Sequence, residues 1–163
     1  MAEFVFENIR FDPDRSEFHD LAKGMAERFG YTAELRIDRR LANLLRIRVA
    51  QLNPCSYCLI LHTRVALDSG IDPPLIAHLA SWRQSGMFSA AEAAALSYCE
   101  ALTNYDHARF DQIHRGLALL FDEVEIAEIA AVVINMNVWT RLKLAQGATP
   151  VPNVEVSLGD GSR

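Results

Sequence analysis

A helix without a polar face cannot lie on a protein surface, and this chain contains one. Residues 129–134, inside a segment that Asp122 or Glu123 opens and Gly147 closes, are apolar on every side at 3.6 residues per turn. They must be enclosed by their own domain or by a neighbouring subunit. Glu128, Asn135 and Asn137 in the same segment exclude a membrane span. The rest of the chain has to supply a shell around this helix.

Its periodicities supply helices. Ser16 can cap a helix that runs to about Phe29, where Gly30 ends it. Leu41, Leu44, Leu45, Val49 and Leu52 recur at helical spacing, with Arg39, Asn43 and Arg46 on another face. Asp72 before Pro73 and Pro74 starts a short helix to about Trp82. Ser89 and Glu92 form a capping box for an alanine-rich helix through about Thr103, and residues 110–120 read as another helix. Phe4, Phe6, Ile9 and Phe11 make an aromatic N-terminal segment. Residues 148–163, with Pro150, Pro152 and alternating Val154, Val156 and Leu158, read as an extended tail suited to strap across a partner. No alternation is long enough to build a sheet, so the expected fold class is all-α, in a single domain over residues 1–163. The aromatic N-terminus and the all-round apolar helix offer more hydrophobic surface than one small bundle hides, which predicts a homo-oligomer.

Composition narrows the function. A net charge of −5 gives no reason to expect nucleic acid as a partner. No apolar run approaches membrane-spanning length and no basic-then-apolar leader opens the chain, so the expectation is a cytoplasmic protein without a membrane partner. The three cysteines do not form the even-numbered framework of a small secreted domain; they suit a reducing compartment and a cycling dithiol.

Two of them stand in the stretch LNPCSYCLILH. Asn53 and Pro54 lead into a helix expected from about Cys55 to Ser69, with Gly70 as its C-terminal cap. Cys55, Cys58 and His62 then fall within an arc of roughly 60° on one face. Cys55 would sit in the first turn, where free N–H groups and the helix dipole favour a thiolate. His62, four residues beyond Cys58, is placed to exchange a proton with a sulfur or polarise a water. Cys99, alone on a helix, reads as a small core residue. Arg36, Arg39, Arg40, Arg46 and Arg48 have only Glu34 and Asp38 nearby in sequence. They read as a solvated or interface face, the other reading being a positive field that lowers a thiol pKa.

The run from Asn43 through Asn53-Pro54-Cys55 to Cys58, with His62, resembles the core motif of the alkylhydroperoxidase D-like branch of the carboxymuconolactone decarboxylase superfamily. Further matches at Ala80 to Arg83, Phe88, Glu92 to Leu96, Glu100 to Thr103, Ile134-Asn135, Trp139 and Arg141 extend the likeness over residues 33–145. The resemblance implies an all-helical trimer or hexamer that reduces hydroperoxides with electrons from a thiol or dithiol and needs no cofactor. It makes Cys58 the thiol that attacks peroxide, Cys55 its resolving partner and His62 a proton-relay residue. The family's relay glutamate falls on Asn43, twelve residues before Cys55, and asparagine can orient a water but cannot accept its proton. Tyr57 stands where the best-known members carry a histidine. Three other readings are weighed: a non-enzymatic oligomeric scaffold that binds a small molecule or senses redox state, a zinc site on Cys55, Cys58 and His62 with no evident fourth ligand, and the lactone decarboxylase chemistry of the superfamily's name, from which the cysteine motif points away.

Overall fold

The computed structural model describes residues 4–153 and is mostly helical. The helices are α1 (Glu17–Phe29), α2 (Arg39–Leu52), α3 (Ser56–Asp68), α4 (Pro73–Ala77), α5 (Ala90–Asn104), α6 (Phe110–Leu117) and α7 (Glu123–Gln146), with 3₁₀ turns at Pro13–Arg15 and Leu79–Gln84. Their starts follow local chemistry. Ser16 Oγ accepts the Phe18 N–H, and the Ser89–Glu92 and Asp122–Glu125 pairs close capping boxes on α5 and α7. Gly70 follows α3 in the left-handed region at φ +82°.

The most enclosed helix is α2, which packs on α3, α5 and α7. Leu44, Leu45, Val49 and Ala50 are fully buried, each leucine contributing roughly 1.5–3 kcal/mol. In α7, Ile129, Val132 and Val133 are buried, but Ile134 is 46% exposed, so this chain alone does not enclose that helix on every side.

The arginines expected as a solvated or interface face on and before α2 divide: Arg36 and Arg39 are exposed, Arg40 and Arg48 are drawn to acids of α5, and Arg46 is buried. Arg36 pairs with Asp122 at 2.7 Å, Arg40 with Glu92 at 2.7 Å and Arg48 with Glu100 at 2.8 Å. Arg46 is buried and donates to the carbonyls of Phe29 and Gly30 at 3.1 and 2.7 Å, tying the end of α1 to α2. Its partners carry the negative end of the α1 dipole.

The all-helical expectation needs one correction. β1 (Phe4–Asn8) and β2 (Ala148–Pro152) pair antiparallel, with Phe6 opposite Pro150. Each strand has five residues, too short to read from alternation, and Pro150 and Pro152 are tolerated because a two-stranded ribbon is all edge. The first part of the expected tail is therefore paired with the N-terminus, while Val154, Val156 and Leu158 lie outside the described residues.

The ribbon is reached through Gly147, at φ +72°, where an added Cβ would lie 2.6 Å from Ile9 Cγ1. Gly147→Ala should therefore cost about 1–2 kcal/mol, measured as a lower urea midpoint. An unchanged midpoint would mean that the ribbon does not contribute to folding stability.

Candidate active site

The turn between α2 and α3 is fixed from both sides. The Cys55 N–H donates to the Ala50 carbonyl at 3.1 Å, and Asn53 Nδ2 donates to Asn137 Oδ1 on α7 at 3.0 Å. Cys55 is the N-cap of α3, and its sulfur accepts the Cys58 N–H at 3.3 Å, as a serine or aspartate oxygen would. The two sulfurs lie 2.6 Å apart and both cysteines are free and buried. One α-helical turn thus brings two thiols into contact at the positive end of a dipole.

Such a pair loses its first proton easily and its second with difficulty. The Cys58 thiol, donating to Cys55, pulls the Cys55 pKa down to about 7 against the opposing effect of burial, with help from the Cys58 N–H and the Lys143 ammonium. The same shared proton, with burial, pushes Cys58 up. The pair therefore gives up its first proton more readily than an isolated buried thiol would and holds its second. Access then separates the sulfurs. Cys58 lines a cavity of about 440 Å³ between α1, α3 and α7, and Cys55 does not.

The cavity wall is aromatic and basic. Tyr31, Tyr57 and Trp139 contribute rings, and Lys143 Nζ lies 4.5 Å from the Tyr57 ring centre and 5.4 Å from that of Trp139. Phe6 of β1 packs on Tyr57 with ring centres 4.5 Å apart, so the terminal ribbon supports this wall. Buried His62 Nδ1, Asn135 Oδ1 and Trp139 Nε1 have no hydrogen-bond partner among the described residues, and all three side chains line the cavity. These are the groups a polar ligand would meet.

His62 shares the cavity with Cys58 but makes no hydrogen bond to either sulfur among the described residues. Burial, reinforced by the Arg46 charge, lowers its pKa to about 4, so it is neutral at pH 7. Asn43 does not line the cavity. Its Nδ2 donates to Ser69 Oγ at 3.2 Å and its Oδ1 accepts from Arg46 at 3.0 Å. Cys99 is fully buried, and burial pushes its thiol up to about 12. Among the described residues no group of three or more His, Cys, Asp or Glu could hold a metal ion, and no helix is long and apolar enough to cross a membrane.

Sequence reasoning missed Lys143 and Tyr31. A signal for the former exists: Asn135, Trp139 and Lys143 stand at i, i+4 and i+8, a polar stripe along an otherwise apolar helix.

The carboxymuconolactone decarboxylase family model matches residues 19–101. YdfG of Bacillus subtilis, an uncharacterised protein, is 28% identical over 138 residues, 82% of this chain and 94% of YdfG. YnjA of Escherichia coli, also uncharacterised, is 32% identical over 122 residues, 71% of this chain and 66% of YnjA. Among solved structures, ATU0492 from Agrobacterium tumefaciens is a protein of unknown function given as a candidate antioxidant defence protein AhpD. It superposes with a TM-score of 0.76 at 20% identity, covering 83% of this chain and 92% of its own. The debrominase Bmp8 in complex with 2,3,4-tribromopyrrole does so with a TM-score of 0.67 at 19% identity, covering 81% and 67%. At such identities the structural likeness establishes the fold alone.

Proposed function

Because the chain belongs to the carboxymuconolactone decarboxylase family, we propose that it is a thiol peroxidase of the alkylhydroperoxidase D-like branch that reduces organic hydroperoxides with its Cys55–Cys58 dithiol. One observation carries this reading: a thiol in contact with an ionisable second thiol lines a cavity large enough for an organic molecule. Cys58, as thiolate, attacks the terminal oxygen of the hydroperoxide; the O–O bond breaks, a sulfenic acid forms and the alkoxide takes up a proton to leave as alcohol. Cys55 then attacks the sulfenic sulfur, forming the disulfide, and its proton leaves with the hydroxyl as water. A thiol or dithiol donor returns two electrons. The volume and aromatic wall favour an organic hydroperoxide over hydrogen peroxide, which would leave most of the space to water.

The reading includes self-association, supported by the exposure of Phe4, Val5, Phe6, Ile9 and Phe11 along one terminal segment. The second reading, a scaffold that binds a planar small molecule without turnover, has support in the aromatic wall and its unpartnered polar atoms.

Peptide mapping after mild treatment with tert-butyl hydroperoxide tests the peroxidase reading. The expected major product is an intramolecular Cys55–Cys58 disulfide with Cys99 still free, formed as peroxide is consumed. Cys99 in the major product would show that the wrong pair has been chosen. Unchanged peroxide consumption by a protein lacking both Cys55 and Cys58 would favour the scaffold.

A further inference from the structure

Breaking an O–O bond leaves an alkoxide that needs a proton at that moment, and the residues that the family resemblance would use cannot supply it here. Asn43 has no acidic proton and faces Ser69 and Arg46 rather than the cavity. His62 is buried and near the Arg46 charge, which keep it neutral at pH 7, so it has no imidazolium proton to give. Lys143 is differently placed. It projects from the last turn of α7 into the same cavity as Cys58, over the rings of Tyr57 and Trp139, and makes no salt bridge among the described residues.

The charged and titratable groups around it are few. α1 contributes Lys23, held by Asp14 at 3.3 Å and Asp20 at 3.5 Å, and the exposed Glu27; Tyr31 follows α1; α3 contributes Cys55, Tyr57, Cys58 and His62. Among the charges that raise the Lys143 pKa, those of Cys58 and Cys55 act more strongly than that of Asp14, and Glu27 is the one carboxylate among the residues that line the cavity.

We propose that Lys143 is the acid of this site: its ammonium holds the thiolate of the cysteine pair and then protonates the oxygen that leaves when Cys58 opens the hydroperoxide. The role rests on the peroxidase reading. The ammonium gives its proton to the alkoxide, forming alcohol, and becomes an amine. When a dithiol donor reduces the Cys55–Cys58 disulfide, its two thiol protons are released: one restores a thiol, the other restores the ammonium, and the second cysteine remains a thiolate. Electrons and protons then balance over the cycle. Half-burial against two rings lowers the Lys143 pKa while the cysteine charges oppose that effect, which makes the ammonium a better acid than an exposed lysine.

Arginine separates the two tasks, because a guanidinium keeps the charge and does not give up a proton. The decisive comparison is the second-order oxidation rate of wild type, Lys143→Arg and Lys143→Met with tert-butyl hydroperoxide, whose alkoxide must be protonated, and with peracetic acid, whose carboxylate leaves without a proton. Lys143→Arg should keep wild-type alkylation by iodoacetamide at low pH, lose ~10²-fold with the alkyl hydroperoxide and stay within about threefold of wild type with the peracid. Lys143→Met should lose thiolate reactivity as well. An equal loss with both oxidants in Lys143→Arg would overturn the acid role, as would a selective loss in Glu27→Gln in place of Lys143→Arg. If wild type reacts with both oxidants and Lys143→Arg matches it, the acid role alone falls. If the wild-type thiols react with neither oxidant faster than free cysteine, the peroxidase reading and the acid role fall together.

Discussion

Cys58→Ser should lower peroxide reduction by ~10⁴-fold or more, as loss of a nucleophile does in enzymes that depend on one, whereas Cys55→Ser should still react once and stop at the sulfenic acid. The asymmetry follows from position. Both sulfurs are buried and share a proton, and charge alone favours Cys55, whose pKa is drawn down to about 7. Yet only Cys58 lines the cavity, and a peroxide oxygen must reach the sulfur along the O–O axis before any difference in basicity matters. Because the two sites are coupled, the negative charge is available to Cys58 by transfer of one proton over 2.6 Å. Stopped-flow oxidation with trapping of the sulfenic acid distinguishes the variants. A Cys58→Ser protein that forms a trapped sulfenic acid on Cys55 would reverse the two roles and show that access through this cavity does not select the attacking sulfur.

Local signals in the chain were enough for the reactive turn and for most of the helices, because caps and spacing are local, but the one helix expected from Asp72 to about Trp82 is α4 followed by a separate 3₁₀ turn. The capping boxes of α5 and α7, the Pro54 entry and the Cys-x-x-Cys spacing each act within four residues. Features made across the chain were not legible. Asn43 and Arg46 look like a polar face of α2, but both are buried because Arg46 finds the carbonyl groups at the end of α1 and Asn43 finds Ser69. The acids that neutralise Arg40 and Arg48 are each 52 residues later. The ribbon joins the two ends of the described chain, and the Phe6–Tyr57 contact carries it to the site. The resemblance named Cys55, Cys58 and His62 for the site, and the structure places Cys58 and His62 on one cavity wall. It offered Asn43 as a relay position, which the structure keeps behind that wall, and it said nothing of Lys143.

The burial of His62 predicts a loss of stability in mild acid. Its pKa is about 4 in the folded protein and near 6.5 when exposed, so between these values the unfolded chain binds a proton that the folded chain does not. The stabilisation is fully present above pH 6.5 and is lost as the pH falls towards 4, and a shift of this size corresponds to about 3 kcal/mol. Glu100 acts in a lower window. Although burial opposes it, hydrogen bonds from Trp82 and Arg83 and the charge of Arg48 hold its carboxyl below the usual range, so its contribution is present above the ordinary glutamate pKa and fades only as acid reaches the depressed value. Urea midpoints at pH 7, 5.5 and 4 should therefore fall steadily in wild type. His62→Gln, which cannot take up the proton, should show a much flatter profile over the same interval. If the wild-type midpoint were constant from pH 7 to pH 4, His62 would be no harder to protonate in the fold than in water. An imidazolium would then be available beside Cys58, and the argument that directs the leaving-group proton to Lys143 would lose its premise.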